Sequence, residues 1–356
     1  MKSLISASIT LLAIAWPVAA AAASPAEHGV LSVQVENDLF GGGTDRHYTN
    51  GIRASYLTPA RRCAADNGCN HGFMERAASI LPFFDPGEEM RRSYSIGQNM
   101  YTPSDITIPD LMPDDRPYAG WLYAGFGLVG KNSYTTRPGR KYNRIDNLEL
   151  NFGIVGPASG ASFVHKRWHD WFNFTTPRGW HNQLRNEPGV VLFYERIWQF
   201  ILRPMPDSDL ELDFSPSVGA ALGNVYTHGA AGLRLRVGAN LPDDYGPPRI
   251  RPSLSGSDYF VPKERKLGVY VFAAAEGRAV AQNIFLDGNT FRDSHSVDKK
   301  HFVGDLQLGA AVVTPHRGFL PPTRLSYTYI FRSREFAGQD RGDRYGSINL
   351  SVQVAF

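Results

Sequence analysis

Along most of this chain apolar and polar residues take turns with a period of two. In Leu31-Ser32-Val33-Gln34-Val35 every second residue is apolar, and Leu148, Leu150, Phe152 and Ile154 alternate with Glu149, Asn151 and Gly153. The same beat returns at Leu210, Leu212 and Phe214 against Glu211 and Asp213, and at Leu233, Leu235 and Val237 against Arg234 and Arg236. It returns again at Leu325, Tyr327, Tyr329 and Phe331, and in the closing run from Ile348 to Phe356. Successive strand side chains point to opposite faces, so this period predicts strands with one apolar and one polar face. Strands are predicted near 29–38, 47–58, 91–103, 117–131, 144–156, 188–202, 209–223, 226–239, 266–281, 301–314, 323–335 and 344–356.

A water-soluble sandwich would alternate too. Three features favour a membrane barrel. The segments run roughly 9 to 14 residues, long enough to cross a bilayer when tilted. Tyr, Trp and Phe gather near their ends, where interface girdles sit. The count is about twelve and even, and closure removes the bare edge that lipid does not tolerate. The final strand ending in Phe356 also resembles those of barrels delivered to the bacterial outer-membrane assembly machinery. The expected fold is all-β: a transmembrane antiparallel barrel of about 12 strands, with a short helix in an extracellular loop.

The first two dozen residues read differently. Met1-Lys2 is a basic start, Leu4 to Val18 an apolar run, and Ala19 to Ala23 offers small-residue cleavage sites. This predicts a Sec-type signal peptide over 1–25, cleaved on export, and one barrel domain over 26–356. No other run of 18 apolar residues follows, so no spanning helix is expected. A net charge of +3 argues against a nucleic-acid binder. The only cysteines, Cys63 and Cys69, are expected to form a local disulfide after export, with a metal or redox pair as the alternative.

With both termini in the periplasm, connections after odd-numbered strands face outward. The Cys63–Cys69 insertion and the Pro-rich stretch Leu241 to Pro262 are then expected on the periplasmic side. The outer connections carry the candidate chemistry. Glu36-Asn37-Asp38 and Thr44 to Gly51 are dense in oxygen donors of the kind hard cations take, although the same residues build ordinary polar turns. The connection from Val155 to Glu187 is long for a compact barrel, which marks it for function. Within it Ala161 to Phe172 reads as a short helix with His165 and His169 on one face. Two such histidines can bind a transition metal, or one can serve as a general base, or both can decorate a lip helix. No Gly-x-Ser-x-Gly elbow is present; Gly156 and Gly160 flank Ser159 at the wrong spacing.

At these residues the chain resembles the outer-membrane lipid A 3′-O-deacylase family. The matching pieces are Glu36-Asn37-Asp38, Asp45 to Gly51, Asp115 to Tyr123, Val155-Gly156-Pro157, His169, and Gly179 to Gly189. They run in order through the first half of the mature chain. The resemblance implies a twelve-stranded barrel with its site at the outer rim, acting on lipid A of lipopolysaccharide in the outer leaflet of the outer membrane. It implies Ca²⁺ as cofactor beside Asn37 and Asp38, Thr49 as the site threonine, and His169 as the base that activates water. The family usually has Gln where this chain has His165, and some members carry an acidic metal ligand shortly after the histidine, where Trp171 to Pro177 offers none. His165, Lys166, Arg167 and Arg178 are candidate substrate contacts, the cations for lipid A phosphates, although a solvated loop face reads the same way. A monomer is expected. An outer-membrane phospholipase and a non-enzymatic channel or structural barrel remain as rival readings.

Overall fold

In the computed structural model, residues 28–354 are described except 44, 63–74, 77, 79, 86, 138, 140, 205–207, 253–257 and 264–265. The expected leader, the Cys63–Cys69 pair and Phe356 lie outside the described residues.

Twelve long strands follow one another as β1 (Gly29–Asn37), β2 (His47–Leu57), β3 (Glu89–Thr102), β4 (Ala119–Thr135), β5 (Lys141–Val155), β6 (Glu187–Leu202), β7 (Leu210–Gly223), β8 (Tyr226–Ala239), β9 (Gly268–Asn283), β10 (Phe302–Thr314), β11 (Thr323–Arg332) and β12 (Asp343–Val354). Each pairs antiparallel with its neighbours in sequence. The ring closes because β1 pairs on both sides: Val33 lies opposite Ala54 of β2 and Leu350 of β12. No helix among the described residues is long and apolar enough to cross a membrane. The strands do the crossing.

The two faces are the reverse of those in a soluble barrel. Leu31, Val33, Ile96, Phe152, Leu222, Val271, Leu308 and Leu325 are exposed on the outside, while Gln34, Arg53, Arg236, Asp305, Gln307, Arg324 and Ser351 are buried inside. An apolar skin round a polar interior suits hydrocarbon outside, where an exposed charge would cost several kcal/mol. Interior charges need partners, and they have them. Arg236 Nη2 reaches Asp213 at 2.6 Å, and Asp305 receives Arg278 at 3.0 Å and Arg332 at 2.8 Å.

The Pro-rich stretch Leu241 to Pro262 departs from expectation. Its described residues, 241–252 and 258–262, leave β8 at the end far from the site but do not stay on the periplasmic side; they fold back into the lumen as a strap. Asp243–Asp244 pairs with Phe260–Val261 to form its neck. Asp244 accepts from Arg236 and, at 2.8 Å, from Arg324. Higher up, Arg249 Nε donates to Glu36 Oε1 at 2.6 Å, Ile250 N–H to the same oxygen at 3.1 Å, and Gln34 to the Pro248 carbonyl at 2.8 Å. The physical reason is complementarity: the inward charges of β1, β8 and β11 are satisfied by the strap's own charges and backbone. Glu36 sits one residue before Asn37, so the strap also braces the floor of the candidate site.

Candidate active site on the outer wall

The connection from β5 to β6 carries helix α1 (Ala161–Phe172). Gly160 precedes it at φ +71° and Asn173 ends it in the left-handed region. Its buried residues Ala161, His165 and His169 recur every fourth position, which makes one inward stripe. That stripe packs with Met100, Ile106, Tyr118 and Trp180. Gly120 of β4 permits the close seat: a Cβ there would come within 2.2 Å of the Ala161 Cβ. Gln98 fastens the start of the helix by donating to the Ser159 carbonyl at 2.7 Å.

Between α1 and the barrel lies a cavity of about 450 Å³. Its barrel wall includes Val35 and Ile52, which belong to the outward parity of β1 and β2, and its far wall includes Val164 and Trp168. The cavity is therefore outside the lumen, on the lipid-facing side near the rim. Phe163, Trp171, Phe172 and Phe174 stand exposed on and after the helix.

Asn37 Oδ1 caps the short turn Asp38–Phe40 by accepting from Leu39 N–H at 2.8 Å. Asp38 Oδ2 accepts from Arg46 N–H at 2.6 Å, while Asp38 Oδ1 is buried and makes no hydrogen bond among the described residues. Asn50 Oδ1 is in the same position. A bulge turns the chain here: Tyr48 pairs with Tyr101 and Asn50 with Met100, leaving Thr49 extra. Both Thr49 and Asn50 line the cavity. Thr49 Oγ1 shares a hydrogen bond of 2.8 Å with Thr102 Oγ1.

Facing these oxygens are the two imidazoles, with ring centroids 4.4 Å apart. Asp45 Oδ2 lies 3.4 Å from His169 Nε2, and Asp45 Oδ1 lies 3.8 Å from His165 Nε2. His169 Nδ1–H donates to the Thr175 carbonyl. A neutral His169 therefore keeps its lone pair on Nε2, aimed at the cavity. Burial opposes charge on His169, but Asp45 outweighs it and raises the pKa above the usual imidazole value. Burial lowers that of His165. For Asp45, burial is overcome by the two imidazoles, which hold its carboxyl well below the usual range. Burial, and then the charge of Asp45, pushes Asp38 up. Two carboxylates beside orphaned oxygens are a place where a divalent cation would relieve both repulsion and desolvation. Separately, Asp45, His165 and His169 place ligand atoms within 4.8 Å of one another, the spacing that a metal site would need.

The expected residues Asn37, Asp38, Thr49, His165 and His169 thus meet at one cavity. Lys166, Arg167 and Arg178 do not line it; they stand exposed around it. Asp45, Asn50 and Trp180 carry more of the site than the sequence assigned them. All three lie within Asp45 to Gly51 or Gly179 to Gly189, segments that carry the family resemblance. His47, in the same motif, is a brace: buried, with Nδ1 2.8 Å from Asp343 and Nε2 3.5 Å from Asp115, it ties the first hairpin to β12 and to the β3–β4 connection.

No curated protein sequence matches the chain. Among solved structures it is similar to LpxR from Salmonella typhimurium, with TM-score 0.68 and 20% identity, covering 91% of this chain and 99% of that one. It is also similar to the β-domain of the Bordetella autotransporter BrkA, with TM-score 0.43 and 11% identity, covering 93% and 100%. The model of the family described as outer membrane protein LpxR matches residues 4–354. With a closed twelve-strand barrel behind that match, the chain belongs to the LpxR family of outer-membrane proteins.

Proposed function

We propose that this protein is a Ca²⁺-dependent lipid A 3′-O-deacylase, hydrolysing the 3′-linked acyloxyacyl ester in the outer leaflet. The observation that carries the reading is His169, its Nδ1 proton given to the Thr175 carbonyl and its Nε2 3.4 Å from Asp45, sharing a cavity on the lipid side of the wall with the orphaned Asp38 and Asn50 oxygens. A substrate embedded in the leaflet reaches such a cavity sideways, its acyl chains sliding along Val35, Ile52 and the aromatic face of α1. Exposed Lys166, Arg167 and Arg178 would meet headgroup phosphates.

The residues suit a direct attack by water. His169 Nε2 takes a proton from water as its oxygen bonds to the ester carbon. Asp45, 3.4 Å away, stabilises the imidazolium. Collapse breaks the carbon–oxygen bond to the sugar, and His169 returns the proton to the departing 3′-hydroxyl. The products are a free acyloxyacyl acid and a 3′-hydroxyl lipid A. Asp38 and Asn50, with Asn37 and Thr49 beside them, would hold Ca²⁺, an oxygen-seeking ion. Bound there, it supplies positive charge against the carbonyl oxygen.

The phospholipase reading needs a hydroxyl nucleophile beside a histidine. Among the described residues no serine lines the cavity; its hydroxyls are those of Thr49, hydrogen-bonded to Thr102 at 2.8 Å, and of Thr175. Mass spectrometry of lipid A from cells expressing the wild type, with Ca²⁺ or chelator, tests the proposal. Loss of one acyloxyacyl unit only with Ca²⁺ supports it. Unchanged lipid A from a folded barrel in Ca²⁺ rejects it.

A further inference from the structure

His165 and His169 lie one turn apart on the same helix and face the same cavity, yet their hydrogen bonds make them chemically opposite. Trp180 Nε1–H, which can only donate, points at His165 Nδ1 at 3.1 Å. His165 Nδ1 must therefore carry a lone pair, and its ring proton must sit on Nε2. That Nε2 is buried, belongs to a residue that lines the cavity and makes no hydrogen bond among the described residues. Asp45 Oδ1, at 3.8 Å, is beyond hydrogen-bond range. In His169 the carbonyl of Thr175 takes the Nδ1 proton and leaves Nε2 bare. One ring offers the cavity a lone pair; the other offers it an N–H.

We propose that His165 is a neutral Nε2–H donor held in that tautomer by Trp180, and that it donates to the carbonyl oxygen of the ester under attack. The assignment rests on the hydrolase reading for its acceptor and on hydrogen-bond geometry for its tautomer. A metal-bound histidine gives its metal a lone pair and donates its other N–H. The Trp180 contact forbids that arrangement, so the Asp45-His165-His169 group is not a three-ligand metal site. A base and a donor side by side fit one reacting centre. His169 handles the attacking water while His165 meets the oxygen on which charge grows, each within about 3 Å of its target. His165 keeps its proton throughout. An amide N–H at this position would do the same work.

Two measurements test this on the full barrel in detergent micelles. In ¹⁵N–¹H imidazole correlation spectra, His165 should show a protonated Nε2 and a bare Nδ1, unchanged on adding Zn²⁺. A protonated Nδ1, or loss of the Nε2–H signal on Zn²⁺ addition, would overturn the assignment. Kinetically, His165→Ala should lower kcat about 10²–10³-fold with KM nearly unchanged, and His165→Gln should recover most of the loss. Trp180→Phe should lower kcat in wild type but have little effect in the His165→Gln background, where no tautomer needs holding. A glutamine variant as slow as alanine, or a loss confined to KM, would refute the donor role. An inert wild type with the expected tautomer would reject the ester as acceptor along with the proposed function; an active wild type with Nδ1–H would reject the donor alone.

Discussion

His169→Ala is expected to slow ester hydrolysis about 10³-fold, and the structure sets that figure. Loss of a general base costs about 10²–10⁴ in rate, or about 3–5 kcal/mol at about 1.36 kcal/mol per decade. Where a protein falls in that range depends on what can replace the base. Here the neighbouring group is Asp45, a carboxylate, which is a weaker proton acceptor than an imidazole. The loss therefore belongs in the upper half of the range. Charge stabilisation at the carbonyl survives the mutation and keeps it from the extreme. The assay is kcat/KM for acid release from lipid A in mixed micelles, quantified by mass spectrometry. Heat-modifiable migration on a gel confirms that the variant is a folded barrel. The pH profile adds a second reading. His169 must be neutral to accept a proton, so wild-type activity should fall as pH drops through a midpoint above the usual imidazole value. The variant should lack that limb. A folded variant within tenfold of wild type, or one that keeps the acidic limb, would refute the assignment of His169 as base.

Chelation should abolish activity and Ca²⁺ restore it; Asp38→Asn, which keeps an oxygen but removes charge, should raise the Ca²⁺ needed at least about tenfold, measured as half-saturation of rate. Gly120→Val should unseat α1, because even a Cβ would meet Ala161 at 2.2 Å; kcat should fall about 10²-fold while urea unfolding of the barrel changes little. Arg249→Leu should destabilise the barrel by about 3–5 kcal/mol, since it strands a buried Glu36. The double replacement Glu36→Leu/Arg249→Leu should recover much of that in urea titrations, and simple additivity of the two single variants would disprove the coupling.

The barrel was legible because lipid imposes a strict rule. A strand with hydrocarbon on one side must alternate, and Leu31, Val33 and Val35 or Leu148, Leu150 and Phe152 do so without interruption. Helix α1 was legible for a related reason: one stripe of a short helix must face the wall, and His165 and His169 share it. The strap was not. Leu241 to Pro262 has no period, and its partners Glu36, Arg236 and Arg324 are made adjacent only by closure of the ring. Their inward charges were visible, but a water-filled lumen would call for the same polar half. The oxygen-rich first hairpin identified Asn37 and Asp38, whereas the role of Asp45 depends on a helix more than a hundred residues downstream. The separate tautomers of the two histidines depend on Trp180 and on the Thr175 carbonyl, and no spacing encodes those contacts.

The strap bears on more than the site it braces. Eight-stranded barrels are filled by their own side chains, while sixteen-stranded ones conduct water and solutes. Twelve strands fall between, and a ring of that size lined with arginine and aspartate would admit small hydrophilic molecules. Asp244 fastens there to β8 and β11, Arg249 to β1 and Asp258 to β2. A strap fixed there stands in the route that a bare ring of this size would offer small hydrophilic molecules, so the same residues that brace the site would also keep the barrel from acting as a pore.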